Sequence, residues 1–402
     1  MSVAGPDFDA IVVGAGLVGS AAALALANRG WRVAIIEQRP QGADVEREDV
    51  RALVLSLSSE RLLSELGLWS QLSRALWPIE RVRIYDRGGI STLTLDAADL
   101  DRETLAWSCK ADVLLNVCTQ AVTANDRIEC CWATRFCGFR STGDVVNVTV
   151  RAGDGEQTLT AGLLIAADGT ESTVRQAANI PHDTFDYVQC AVVSQFTCDV
   201  EVGRNAFEYF TANGPLAFIP VGKHRVVNVQ CVAPDVADEL MALNDSDYLL
   251  QLDDKFGHRL GALSAPGARR HHALVGSRAT EIIGDGLIMV GNAANTVHPN
   301  GAQGLNLGLR DVFALDCVIA GARTRRNIAR DYEALRRRDH CQTRTLCDGL
   351  AQSFVSPLSL VKGLRRGVIT SLAYSFPARR QLAREITGLA ALERIERQRA
   401  AA

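Results

Sequence analysis

The chain has 402 residues, 47% of them hydrophobic and 22% charged, with 33 Gly against 11 Pro; this excludes a small disulfide-stapled scaffold and a disordered or collagen-like chain, and leaves room for two or three domains. A formal charge of -3 from 43 basic and 46 acidic residues offers no overall basic footprint, so nucleic acid is not an expected partner. The balance is uneven, because from Val355 onward nine basic side chains stand against three acidic ones. The 11 cysteines form no C-x-x-C pair and are read as reduced thiols in a cytosolic compartment. No signal-peptide pattern opens the chain, and no stretch reaches the ~18 uninterrupted apolar residues that cross a bilayer.

Ala10 to Val13 is a short β-branched run of the kind that forms a parallel strand buried on both faces. It enters GAGLVG, in which Gly14, Gly16 and Gly19 occupy the three positions of G-x-G-x-x-G. The first makes a tight turn, the second lets backbone approach a pyrophosphate, and the third lets the following helix pack closely on the strand. An Ala-rich helix then stops at Gly30, and a second strand from Arg32 to Ile36 delivers Glu37, 23 positions after Gly14. A carboxylate at that strand end accepts both hydroxyls of an adenosine ribose and repels a 2'-phosphate. NAD and FAD both fit this much of the pattern.

Further on, the strand Leu163 to Ala167 runs into ADGTESTVR, which supplies Asp168, Gly169 and Arg175. Residues Gly284 to Asp311 read GDGLIMVGNAANTVHPNGAQGLNLGLRD, with a strand from Ile288 to Val290 and Gly291 as a close-approach residue, and the turn Pro299 to Gly304 leads into a long helix with orphan N–H groups at its positive end. In this order the three motifs resemble those of the single-component flavoprotein aromatic hydroxylases, a resemblance that implies Asn292 aimed at the ribityl chain or phosphates and the helix end aimed at the flavin ring, where it would stabilise negative charge on the reduced form. Arg51 to Trp69, Leu252 to Leu263 and DYEALRRRDH (Asp331 to His340) are similar to segments of the ubiquinone-biosynthesis hydroxylases, especially the 2-octaprenyl-6-methoxyphenol hydroxylase group.

The resemblance implies an α/β fold: a Rossmann-like FAD-binding domain (1–75, 100–180 and 272–350), an inserted mostly β substrate domain (76–99 and 181–271) and a basic helical C-terminal cap (351–402), expected as two helices broken by Pro377. It implies tightly bound FAD held by Gly14, Gly16, Gly19, Glu37, Arg51, Asp168, Gly169, Arg175, Gly291, Asn292, Gly301, Ala302, Gln303 and Gly304. His298, Pro299 and Gln303 become candidates near the ring, and Tyr209 and Phe210 line the substrate pocket. His298 has a second reading as a structural hydrogen-bonding residue, and Tyr209 and Phe210 as sheet packing. Two departures from the family pattern stand out: Asn292 replaces the usual Asp, and the usual P-x-A-G-Q-G is reordered, with Gly301 before Ala302.

The implied activity is hydroxylation of the ring of a polyprenyl phenol or benzoquinol by O2 through a flavin C4a-hydroperoxide. NADPH or NADH is a transient reductant, since no second complete G-x-G-x-x-G is present. No residue can be assigned from sequence to increase phenolate character in the substrate. Two alternatives stay open: an FAD monooxygenase acting on another ring position or a soluble aromatic, and a non-catalytic FAD-binding subunit. The expected location is cytoplasmic, with the basic tail a candidate for peripheral contact with the inner face of the membrane or with other ubiquinone-biosynthesis proteins. Homo-oligomerisation is left open, and the adjacent His271 and His272 face opposite ways and are not expected to hold a metal.

Overall fold

The computed structural model describes residues 5–42, 51–86, 92–211, 213–321, 324–355 and 358–401. The chain begins with β1 (Phe8–Val13), α1 (Leu17–Asn28), β2 (Val33–Ile36), β3 (Ala52–Ser56), α2 (Leu57–Glu65) and α3 (Trp69–Leu72). There follow β4 (Trp77–Ile79), β5 (Arg81–Asp86), β6 (Thr92–Asp96), β7 (Ala106–Lys110), α4 (Ala111–Thr123), β8 (Ile128–Cys131), β9 (Thr134–Thr142), β10 (Val145–Ala152), β11 (Gly155–Ala166) and α5 (Thr173–Ala177). The middle of the chain holds β12 (His182–Cys198), β13 (Asn205–Thr211), β14 (Gly214–Gly222), β15 (Arg225–Val232), α6 (Pro234–Ala242) and α7 (Asp245–Phe256). Short strands β16 (Leu263–Ser264), β18 (Ile283–Gly284), β19 (Leu287–Met289) and β20 (Asn295–Thr296) flank the longer β17 (Arg270–Ala279). Five helices close the chain: α8 (Gln303–Ile319), α9 (Arg325–Val355), α10 (Ser359–Tyr374), α11 (Phe376–Ile386) and α12 (Leu389–Ala401).

The first sheet runs β18-β19-β11-β1-β2-β8, with β9 and β10 paired on from β11. β19, β11, β1, β2 and β8 lie parallel, and every residue of β2 is buried, as a strand covered on both faces requires. α1 is buried nearly all round, which its alanines permit by letting neighbouring helices approach closely. A second sheet runs β20-β17-β12-β15-β14-β13-β5-β6, with β16 on β12. Its ladders are antiparallel except where β13 meets β5. Helices α6 and α7 cover one face of it through an aromatic-rich core. A small third sheet, β3-β7-β4, packs against β14 of the second.

The nine-stranded sheet reaches Ala279 through β17, beyond residue 271, and helix α9 runs through residue 351 without interruption. The C-terminal region forms three helices after α9 where two were expected. Ser375 ends α10, Pro377 sits in the first turn of α11, where its missing N–H costs nothing, and Gly388 at φ 77° separates α11 from α12.

Candidate active site

The three glycines after β1 divide their work. A Cβ on Gly14 would lie 2.5 Å from the Ala167 carbonyl oxygen, and one on Gly19 would lie 1.9 Å from the Gly14 oxygen. A Cβ on Gly16 would meet nothing within 4 Å. Two glycines thus let backbone touch backbone, while the third leaves open space before the uncapped N-terminus of α1, whose orphan N–H groups suit a diphosphate.

Glu37 lies at the end of β2, where its Oε2 accepts the Ala15 N–H at 2.9 Å and its Oε1 accepts the Arg39 N–H and Nε, both at 3.0 Å. Burial pushes its carboxyl up, but the hydrogen bonds from Arg39 and Ala15 outweigh it and hold the group below the usual range. It therefore stands ionised and ready to accept ribose hydroxyls. Glu37→Gln is expected to weaken FAD binding about tenfold through loss of charge-assisted acceptance, a change that fluorescence titration of the apoprotein would measure.

The turn after β11 lies against Gly14. Asp168 Oδ2 accepts the Thr173 hydroxyl at 3.0 Å and the Val174 N–H at 3.1 Å, Gly169 takes φ 86°, and Asp168 Oδ1 is buried with no hydrogen-bond partner among the described residues. That oxygen is the kind of acceptor a ligand hydroxyl satisfies. Arg175 is wholly buried and donates to the carbonyls of Thr170 at 2.8 Å and Ala293 at 2.9 Å. It acts on the nucleotide site at one remove, as a brace between the Asp168 and Gly291 turns.

Gly291, at φ 61°, donates its N–H to Asp311 Oδ2 at 2.9 Å. Asp311 Oδ1 accepts Arg336 Nε and His340 Nε2, both at 2.6 Å, and Asn295 Nδ2 donates to His340 Nδ1 at 2.7 Å. Asp339 joins Arg336 to Arg310 at 2.7 and 2.8 Å, and the Tyr332 hydroxyl donates to the Met289 carbonyl at 2.9 Å. This is the physical content of DYEALRRRDH: one face of α9 locks the strand and turn that present Gly291 and the exposed Asn292. The motif contained the residues, but Asp311 had no assigned role, because its partners lie 20 to 29 positions away along the chain.

The turn before α8 is held as firmly. Gly301 and Ala302 take φ 64° and 53°, and a Cβ at Gly301 or Gly304 would meet nothing within 4 Å. Asn306 Nδ2 donates to the carbonyls of Ala302 at 2.7 Å and Val54 at 2.8 Å, while its Oδ1 accepts the Ser56 N–H at 2.9 Å. Gln303 donates to the carbonyls of Gly301 at 3.0 Å and Ile386 at 3.1 Å, so its amide ties the turn to α11. Pro299 is exposed at the start of the turn. Because Ala302 stands left-handed where the family pattern has Gly, Ala302→Gly is expected to raise stability by about 1 kcal/mol in thermal unfolding. Arg51 is exposed and immediately precedes β3.

His298 is completely buried; its Nδ1 accepts the Asn300 N–H at 3.3 Å, and its Nε2 donates to Gln189 Oε1 at 3.2 Å. Burial pushes its pKa down from 6.5 to about 4. The unfolded chain therefore binds a proton between those values that the folded chain refuses. This contribution is fully present above pH 6.5 and falls away towards pH 4, by about 3 kcal/mol at most. Urea unfolding of His298→Gln should show a flatter pH slope across that window; an unchanged slope would assign the effect elsewhere.

Tyr209 and Phe210 face opposite ways, as adjacent strand residues must. Tyr209 stacks on Tyr85 at 4.7 Å, meets Phe256 of α7 and accepts a hydrogen bond from Arg259 at 3.1 Å. It packs on the helix-covered side of the sheet. Phe210 lies with Ala206 on the other side, where Ala206 packs with Val54, Ile79 and Ala106 of the small sheet. Ser108 of that sheet also hydrogen-bonds the Pro220 carbonyl of β14. Asn306 links the small sheet, through Val54, to the turn before α8, through Ala302. No group of metal-ligating side chains occurs among the described residues.

Three turns that meet at the N-terminus of α1, with open space at Gly16, an orphaned acceptor on Asp168 and an ionised Glu37 where FAD would be held, define a flavin-dependent oxidoreductase fold. The FAD binding domain family matches residues 7–340. The chain is 31% identical over 394 residues to ubiquinone hydroxylase UbiL of Rhodospirillum rubrum, covering 94% of this chain and 89% of that protein. It is 31% identical over 330 residues to 3-demethoxyubiquinol 3-hydroxylase of Escherichia coli, covering 81% and 83%. Among solved structures, p-nitrophenol 4-monooxygenase PnpA from Pseudomonas putida superposes with a TM-score of 0.77 at 18% identity, covering 96% of this chain and 98% of that one. The chain belongs to the FAD-binding hydroxylase family that includes the ubiquinone hydroxylases.

Proposed function

We propose that this chain is an FAD-dependent monooxygenase that uses O2 and NAD(P)H to hydroxylate the ring of a polyprenyl phenol or benzoquinol in ubiquinone biosynthesis. The observation that carries the reading is the meeting of the Gly14, Asp168 and Gly291 turns at the N-terminus of α1, with Asp168 Oδ1 left without a partner beside them. Bound FAD supplies reductive activation of O2. Gly14, Gly16, Glu37 and Asp168 would hold its adenosine and diphosphate, Gly291 and Asn292 its ribityl side, and the α8 terminus would favour negative charge on the ring.

The substrate's prenyl chain points to membrane contact, and α10 supports it. Leu360, Leu364 and Val368 repeat every four residues and are 74%, 62% and 58% exposed, and no acidic residue occurs from Gly349 to Arg384. The basic residues expected to provide the docking face are largely engaged internally: Arg365 and Arg366 with Asp86, Arg379 with Asp99, Arg380 with Asp101, and Arg384 with Glu393. Docking on a bilayer surface then rests mainly on the apolar stripe. No helix of the described residues is long and apolar enough to cross a membrane. The double variant Leu364→Glu, Val368→Glu should lose flotation with phosphatidylglycerol vesicles while keeping FAD; undiminished flotation would remove α10 as the contact.

The intermediate that accumulates in a strain lacking this protein tests the function. A polyprenyl phenol short of one ring hydroxyl is expected, and its structure names the carbon attacked. An unchanged quinone profile in a strain without a second such hydroxylase would contradict the proposal.

A further inference from the structure

Three consecutive residues at the α11–α12 junction reach back to the elements around the turn before α8. The Ile386 carbonyl accepts Gln303 Nε2 at 3.1 Å, the Thr387 carbonyl accepts the Ser58 N–H at 3.1 Å, and a Cβ on Gly388 would overlap the Ser58 hydroxyl. From Ser58 a file of buried hydroxyls continues. Ser58 Oγ lies 2.9 Å from Ser56 Oγ, Ser56 Oγ lies 3.4 Å from Ser59 Oγ, and Ser59 Oγ donates to Asn306 Oδ1 at 2.7 Å. A hydroxyl has one proton, and Ser59 gives its own to Asn306, so Ser56 donates to Ser59 and Ser58 to Ser56. Ser56 stands directly before α2, yet its side chain caps none of that helix's N–H groups. Its hydroxyl is committed to the file.

At the far end Asn306 uses its amide fully: Oδ1 accepts the Ser59 hydroxyl and the Ser56 N–H, and Nδ2 donates to the carbonyls of Val54 and Ala302. Ala302 stands at φ 53°, where L side chains rarely rest, and a residue so placed persists only when its surroundings hold it there. We infer that Ser59 is a positioning residue for the hydroxylation: it fixes the Asn306 amide, which holds Ala302 left-handed, and the α11–α12 junction sets the file from its other end. This rests on the proposed function, which places the α8 terminus at the flavin ring. The C-terminal helices then take part in aligning ring and substrate, on which delivery of oxygen to carbon, and not its loss as hydrogen peroxide, depends.

The full-length protein carries the test in two forms. In the apoprotein, amide exchange over residues 299–307 should quicken about tenfold in Ser59→Ala and in Gly388→Ala, while residues 10–19 keep wild-type protection. With FAD, NAD(P)H and a 2-methoxyphenol bearing one isoprene unit, product formed per NAD(P)H oxidised should fall about fivefold in Ser59→Ala. Adding Ala302→Gly to Ser59→Ala should return both readings to within about twofold of Ala302→Gly alone, because glycine takes the left-handed conformation unaided. A hydroxyl that only stabilised the fold would gain nothing from that second change. Exchange over residues 299–307 that stays at the wild-type rate in Ser59→Ala, or that rises without being suppressed by Ala302→Gly, overturns the assignment, and Ser59→Ala decides this even where Gly388→Ala does not fold. Suppressible exchange with an unchanged product yield would confine the file to holding the turn and overturn its part in the reaction. Wild type that oxidises NAD(P)H and forms no hydroxylated phenol would overturn the hydroxylase reading, an outcome separate from the exchange measurement.

Discussion

Asp311→Ala is expected to lose most of the folded, FAD-loaded protein, with a destabilisation of about 3–5 kcal/mol out of the roughly 5–15 kcal/mol typical of a domain. The buried carboxylate meets three groups together: the Gly291 N–H, the Arg336 guanidinium and the His340 ring. Removing it leaves a guanidinium with no exposed surface facing an uncompensated gap, and an orphaned N–H in the turn that presents Asn292. Asp311→Asn keeps an acceptor for Gly291 and should fall between wild type and alanine. Burial pushes the Asp311 carboxyl up, but His340 and Arg336 outweigh it and hold it below the ordinary 3.8. Its contribution is therefore present above that value and lost as pH falls through the depressed folded one. Urea midpoints and FAD absorbance per chain measure both effects, and an alanine variant with wild-type values would contradict the assigned role.

Gly19→Ala and Gly16→Ala should separate two functions of one motif. At position 19 the new Cβ would lie 1.9 Å from the Gly14 carbonyl oxygen, so α1 must move off β1, at a cost above about 3 kcal/mol. Unfolding midpoint and FAD content should fall together. At position 16 nothing lies within 4 Å, so the protein should fold normally while FAD affinity drops about a hundredfold, roughly 2.8 kcal/mol, because the methyl occupies the approach of the diphosphate. Equal unfolding midpoints for the two variants would show that the close approach of α1 and β1 is not what Gly19 provides.

The nucleotide turns were legible because each glycine answers a local demand, a positive φ or a backbone contact, that leaves a mark in the sequence. Strand alternation also contains the split between Tyr209 and Phe210, although their expected common role overlooked it. Asn306 and Asp311 were hidden for another reason: their roles depend on contacts with Ser56, Val54 and His340, far away in the chain. The basic tail misled in the same way. Charge counting sees the arginines, but not that Arg365 and Arg379 reach back about 280 positions to Asp86 and Asp99. The division of the C-terminus into three helices followed from Gly388, where a left-handed residue ends α11 after Pro377 has already opened it.

Oxygen-18 transfer tests the central claim most directly. FAD-loaded enzyme, NAD(P)H and a short-chain prenyl phenol under labelled O2 should yield a phenol carrying one labelled hydroxyl, with flavin reduction by NAD(P)H seen in the anaerobic control. NAD(P)H oxidation that produces only labelled hydrogen peroxide, with the phenol recovered unlabelled, would contradict it.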